Sequence, residues 1–133
     1  MNNFFAELEV GFNRHADQPA LILSGQDDWS YAELQQQINR VAAQLAAFGA
    51  GVGDRVLVQL PKSPENLALY LACLKLGLVY VPLNTGYTAA ELDYFVSDAE
   101  PVLYVGEQHR SDVVSATLRS RDAERLLVFS NGA

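Results

Sequence analysis

Few residues in this 133-residue chain could do chemistry, and their spacing narrows what they can do. His15 and His109 are the only histidines, and neither has a carboxylate or thiol at metal-ligand spacing. His15 falls at the end of the predicted first helix, where a cation suits the helix dipole. His109 neighbours Arg110 in a predicted solvated loop. Cys73, the single cysteine, lies within an apolar run and reads as a small core residue, because a reactive thiol needs an accessible, electropositive setting. One cysteine also excludes an internal disulfide and a cysteine-based zinc site, and fits a reducing cytosol. The only glycine cluster, Gly49-Ala-Gly-Val-Gly53, follows a predicted helix and precedes a predicted strand. A phosphate loop has the opposite polarity, so the cluster reads as a helix terminator and turn. Asp27 and Asp28 supply fewer oxygens than a cation needs, and no serine occupies a nucleophile elbow. Taken alone, these residues perform no reaction.

Two loops are candidates for ligand contact: Pro61-Lys62-Ser63 and Asn84-Thr85-Gly86-Tyr87-Thr88. Each leaves the carboxyl end of a predicted strand and enters a capped helix N-terminus, a place suited to an anion. Capping alone also accounts for Ser63 and Thr88, with Lys62 solvated. Lys62, Ser63, Asn84 and Thr85 therefore stand as ligand-side candidates beside a purely structural reading.

The elements that position these loops follow from periodicity. Phe4, Phe5, Leu8 and Phe12 recur at helical spacing over residues 3–15. Residues 20–23 form a short strand, and the polar turn Ser24-Gly-Gln-Asp-Asp28 before Trp29 suggests a hairpin. Ser30 and Glu33 make a capping box. The stripe Tyr31, Leu34, Ile38, Val41, Leu45 and Phe48 continues that helix, with Gly49 and Gly51 as its C-terminal caps. Residues 55–60 form the next strand. Ser63-Pro64-Glu65 reads as N-cap, first-turn proline and first-turn acid of a helix through Leu76 that is apolar nearly all round. Residues 78–83 form a strand in which Pro82 is tolerable only near an end or on an edge. Thr88 and Glu91 make a second capping box, opening a helix through Asp98. Strands at 102–105 and 126–129 flank a weaker helix at 109–119.

This alternation predicts an α/β fold over residues 1–133, a single domain whose largely parallel sheet carries helices on both faces. Hydrophobic residues make up 50% of the chain and the net charge is −7, which excludes a disordered polymer and disfavours nucleic acid as a partner. No run approaches the length of a membrane span, and the N-terminus lacks a signal-peptide pattern, so a cytoplasmic location is expected.

Trp29-Ser-Tyr-Ala-Glu-Leu34 resembles the first core motif of the AMP-forming acyl-CoA synthetase and adenylation-domain superfamily. Residues 74–84, LKLGLVYVPLN, resemble the second. Gly77, Tyr80, Val81 and Pro82 fall on its Gly-x-x-Tyr-Val-Pro run, and Leu76 stands where alanine is usual. Residues 62–101 are most similar to malonyl-CoA synthetases, through Asn84, Thr85, Tyr87, Glu91, Leu92, Tyr94, Phe95, Asp98, Ala99 and Pro101. The likeness is good over residues 29–105 and loose at both ends.

The resemblance implies a two-step ligase. A carboxylate attacks the α-phosphate of magnesium-bound ATP, and the coenzyme A thiol then displaces AMP. The family's phosphate loop, nucleotide-binding motifs and catalytic lysine lie downstream of the matched region. The chain is thus expected to be an N-terminal subdomain of a larger adenylate-forming enzyme, inactive by itself and binding no ATP, Mg2+ or coenzyme A alone. Malonate is the expected acid of the parent, with other short-chain, aromatic or fatty acids as alternatives. Tyr31, Glu33, Gly77, Tyr80 and Pro82 are expected to be structural. The apolar helix 64–76 and the buried-type strands imply covering partners, so exposed apolar surface or self-association is expected. A receiver-type signalling module would need acidic residues at the strand ends, where this chain has Leu60-Pro61-Lys62. No feature supports a noncatalytic partner-binding role.

Overall fold

Side-chain caps start three helices of this computed structural model, which describes residues 4–22, 27–120 and 127–130. Ser30 accepts from the Glu33 amide, and the Glu33 carboxylate accepts from the Ser30 amide, opening helix α2 (Tyr31–Ala47). Ser63 accepts from the Asn66 amide ahead of α3 (Pro64–Leu76), with Pro64 in its first turn. Thr88 and Glu91 repeat the reciprocal box at α4 (Ala89–Ala99). The remaining elements are α1 (Phe4–Arg14), β1 (Pro19–Leu21), β2 (Trp29–Ser30), β3 (Arg55–Gln59), β4 (Val79–Pro82), β5 (Leu103–Glu107), a 3-10 turn (Gln108–Arg110), α5 (Ser111–Ser120) and β6 (Leu127–Ser130). Of the predicted turn at 24–28, residues 24–26 lie outside the described residues, as do Leu23 and Leu126 of the predicted strands.

The helix ends correct one expectation. Gly49 has φ +87° and Gly77 φ +74°, the left-handed geometry that releases a chain from a helix. Gly51 does not share it. Its amide donates to the Asp54 carboxylate at 2.8 Å, so it belongs to the turn before β3 rather than to the α2 cap. The strand at 102–105 runs instead from Leu103 to Glu107, and the weak helix at 109–119 is a 3-10 turn followed by α5.

The chain divides into two compact units, one formed by residues 1–49 and 62–77 and the other by 50–61 and 78–133. In the first, β1 and β2 pair antiparallel, with Leu21 opposite Trp29, and α1, α2 and α3 pack on one another. Phe5, Leu34, Ile38, Ala42, Leu45, Ala68, Leu69, Leu71, Ala72 and Cys73 are buried there. Lys75 on α3 reaches the Glu9 carboxylate of α1 at 2.9 Å and the Asn39 side chain of α2 at 2.7 Å, tying three helices together at their surface. Such a half-exposed pair is worth about 1 kcal/mol or less.

The second unit is a parallel sheet in the order β4-β3-β5-β6. Pro82 ends edge strand β4, where its missing N–H costs no ladder bond. One sheet face presents Leu57 and Tyr104 to α4 and α5, in a core with Leu83, Leu92, Val96, Val114 and Leu118. Val56, Val58, Leu103 and Val105, which alternate to the other face, are buried as well. Double-sided burial is the normal state of a parallel sheet.

Candidate functional site

The strand order reverses at the centre of the sheet. From β3 the chain passes to β4 on one side, then crosses back to β5 on the other. In open α/β sheets, ligands bind outside the carboxyl ends of the strands at such a reversal. β3 ends at Gln59, whose register partner on β5 is Gly106, one residue before that strand ends at Glu107.

Gln59 is 1% exposed, an amide that ends β3 after the apolar run Val56-Leu57-Val58. It has partners on both sides. The Tyr104 hydroxyl donates to its Oε1, and its Nε2 donates to the Asn84 carbonyl at 3.0 Å. Tyr104 is fully buried, and burial pushes its phenol up to about 12, Arg110 opposing and Glu107 adding to the rise. The ring lies over Gly106, where a Cβ would sit 2.7 Å from Tyr104 Cζ. Glycine is required at 106 because the tyrosine fills the space of its side chain.

The loop after β4 is held by several hydrogen bonds and a ring stack. The Asn84 side chain accepts from the Gly86 amide at 2.7 Å, and the Asn84 carbonyl accepts from the Tyr87 amide at 3.1 Å. Arg110 donates from its guanidinium to the carbonyls of Thr85 and Tyr87. The Tyr87 ring stacks on Phe95 of α4, with centroids 5.3 Å apart and planes 7° apart. At the start of α4 the Thr88 amide donates to the Glu91 carboxylate. An internal anion already occupies that helix terminus, which favours the capping role of Thr88 over capture of an external anion.

Of the ligand-side candidates, Lys62 and Ser63 belong to the first unit, and Asn84 and Thr85 to the second. Lys62 is exposed, and the Ser63 hydroxyl caps α3. Asn84 shapes its own loop, and the Thr85 carbonyl is held by Arg110. Tyr31 opens α2 with its ring 5.3 Å from Phe12, and Glu33 is half of the capping box. Gly77 is the left-handed cap of α3. Tyr80 lies opposite Val56 on β4, two residues before Pro82. Cys73 is fully buried, and desolvation pushes its thiol up to about 12. His15 and His109 are both exposed. No three His, Cys, Asp or Glu residues converge among the described residues. None of the described helices is long and apolar enough to cross a membrane.

Gln59, Tyr104, Gly106 and Arg110 were not singled out by sequence reasoning. One signal was available for Gln59: it is polar at the same strand parity as Leu57, which points into the core.

Comparison with known proteins sets this geometry in context. The profile of the AMP-binding enzyme family matches residues 8–130. The crystal structure of apo MatB from Rhodopseudomonas palustris superposes with a TM-score of 0.86 at 40% identity, covering 100% of this chain and 26% of MatB. A probable non-canonical nonribosomal peptide synthetase, CymA of Salinispora arenicola, is 40% identical over 86 residues, which is 65% of this chain and 1% of CymA. A probable CoA ligase of Humulus lupulus is 34% identical over 90 residues, 68% of this chain and 17% of that ligase. The chain thus spans about a quarter of MatB, and less of the other two.

Proposed function

This chain belongs to the AMP-binding enzyme family, and on that premise we propose that it is the N-terminal portion of an ATP-dependent acid–CoA ligase. The observation that carries the reading is the family match over residues 8–130, joined to 40% identity with MatB along the whole chain. MatB has also been crystallised with ATP bound, in a form 41% identical over 97% of this chain.

In the proposed reaction a carboxylate oxygen attacks the α-phosphorus of ATP, and pyrophosphate leaves. The thiol of coenzyme A then attacks the acyl carbonyl of the adenylate, and AMP leaves with the electron pair of the broken C–O bond. Charge builds on phosphate oxygens in the first step and must be met by cations and amide dipoles. We propose that the part of this chain is architectural. It supplies the parallel sheet, and we place Lys62, Ser63, Asn84 and Thr85 on its ligand side. The proposed acid is malonate, supported by the resemblance of residues 62–101 to malonyl-CoA synthetases.

The test is carboxylate-dependent ATP–pyrophosphate exchange with malonate and a panel of short-chain, aromatic and fatty acids. It is run on the 133-residue chain and on a chain extended into its natural downstream sequence. Exchange confined to the extended chain and strongest with malonate is the expected result. Exchange strongest with another acid would replace malonate and keep the ligase. Exchange by the 133 residues alone would overturn the architectural role, and silence from both would overturn the ligase.

A further inference from the structure

We infer that Gln59 and Tyr104 are positioning residues of this ligase, holding the Asn84–Thr88 loop in its ligand-binding shape where the strand order reverses; the inference rests on the ligase reading above. Three observations converge on that place. The reversal between β3 and β5 is where an open α/β sheet offers a crevice; Gln59 ends β3, and its register partner Gly106 is one residue from the end of β5. A buried chain of hydrogen bonds runs from the Tyr104 hydroxyl through the Gln59 amide to the Asn84 carbonyl, the first residue of the loop. The ring of Tyr104 is seated on Gly106 with its hydroxyl on Gln59.

Stability alone gives little reason for this arrangement. A buried amide–phenol pair contributes about 1 kcal/mol net, and apolar residues of the same shape at both sites would be nearly neutral. What the pair adds is direction. A leucine at 59 could fill the space, but it could not specify where the Asn84 carbonyl sits. The far end of the loop is specified in the same manner, by Arg110 on the carbonyls of Thr85 and Tyr87. The loop is therefore held by side chains from β3 and from the turn after β5, the two sides of the reversal.

The test uses the intact ligase that carries this chain, with Gln59→Leu, Tyr104→Phe and the double variant. Steady-state constants are measured for ATP, the acid and coenzyme A, alongside thermal unfolding. The double variant is expected to unfold within about 4 °C of wild type. The KM of at least one substrate is expected to rise about tenfold while kcat changes less than about twofold. Tyr104→Phe keeps the ring over Gly106 but deprives the Gln59 Oε1 of the phenol donor, so it is expected to lose more stability than the double variant, and it must raise the same KM. Three unchanged KM values in an active, folded variant overturn the positioning role. So does a lowered unfolding temperature with no KM change, which is the mark of a merely structural pair. A wild-type enzyme without carboxylate-dependent AMP formation overturns the ligase reading, and the positioning role falls with it.

Discussion

Arg55, the first residue of β3, donates from its Nε to the carbonyl oxygen of Ala99, the last residue of α4, at 2.7 Å. The same guanidinium also donates to the Glu100 carbonyl at 2.9 Å and the Gly53 carbonyl at 3.3 Å. A helix ends with carbonyls that lack intrahelical donors and with a negative dipole, and Arg55 answers both. Replacing it by methionine keeps the stem and removes the fork. Arg55→Met is expected to lower stability by about 1–3 kcal/mol, read as a fall in the urea midpoint at constant slope.

Glu100 follows directly, with φ +47°, a left-handed conformation that glycine adopts without a Cβ penalty. It is exposed, and its amide bond to the Val96 carbonyl needs no side chain. Glu100→Gly is expected to raise stability by about 0.5–1 kcal/mol, an outcome that a urea titration beside wild type will show.

At Gly106 the expected sign is reversed. A methyl group there meets the ring of a fully buried tyrosine in a packed core. Gly106→Ala is expected to cost about 1–3 kcal/mol. Combining it with Tyr104→Ala should cost less than the two single changes added together, because the truncated ring no longer meets the new methyl.

Cys73 and Tyr104 set the alkaline limit. The thiol is raised from 9.0 to about 12 by burial, and the phenol from 10.0 to about 12. In the unfolded chain both groups release their protons at the lower values, so between about pH 9 and about pH 12 the folded state binds more protons. Stability must then fall as pH rises through that window. Urea midpoints are expected to drop between about pH 8 and about pH 10.5, and Cys73→Ala is expected to show a smaller drop from its own starting value. In the folded wild type at about pH 8, the buried thiol should be unreactive toward a maleimide.

The parts of the fold legible in the sequence are those made by neighbours. Both capping boxes join residues three apart, and the Ser63-Pro64 start is contiguous. Apolar strands alternating with helices gave the parallel sheet, and the Leu74–Asn84 run gave the family. The candidate site was less legible because distant positions build it. Tyr104 meets Gln59 across 45 residues, Gln59 meets Asn84 across 25, and Arg110 meets Thr85 across 25. Local periodicity carries no sign of such pairings. Nor does it show that the space beside Gly106 belongs to another residue's ring, since Tyr104 simply reads as one more aromatic in an apolar strand.

The two compact units are threaded through one another along the chain, since residues 62–77 belong to the first while 50–61 and 78–133 belong to the second. A single cut therefore cannot separate the two units from each other, and a crossover between 62 and 77 would join an incomplete first unit to an incomplete second. The segment is inheritable only as a block: in family shuffling, junctions before α1 or after β6 preserve both units, whereas a junction inside α3 divides each of them at once.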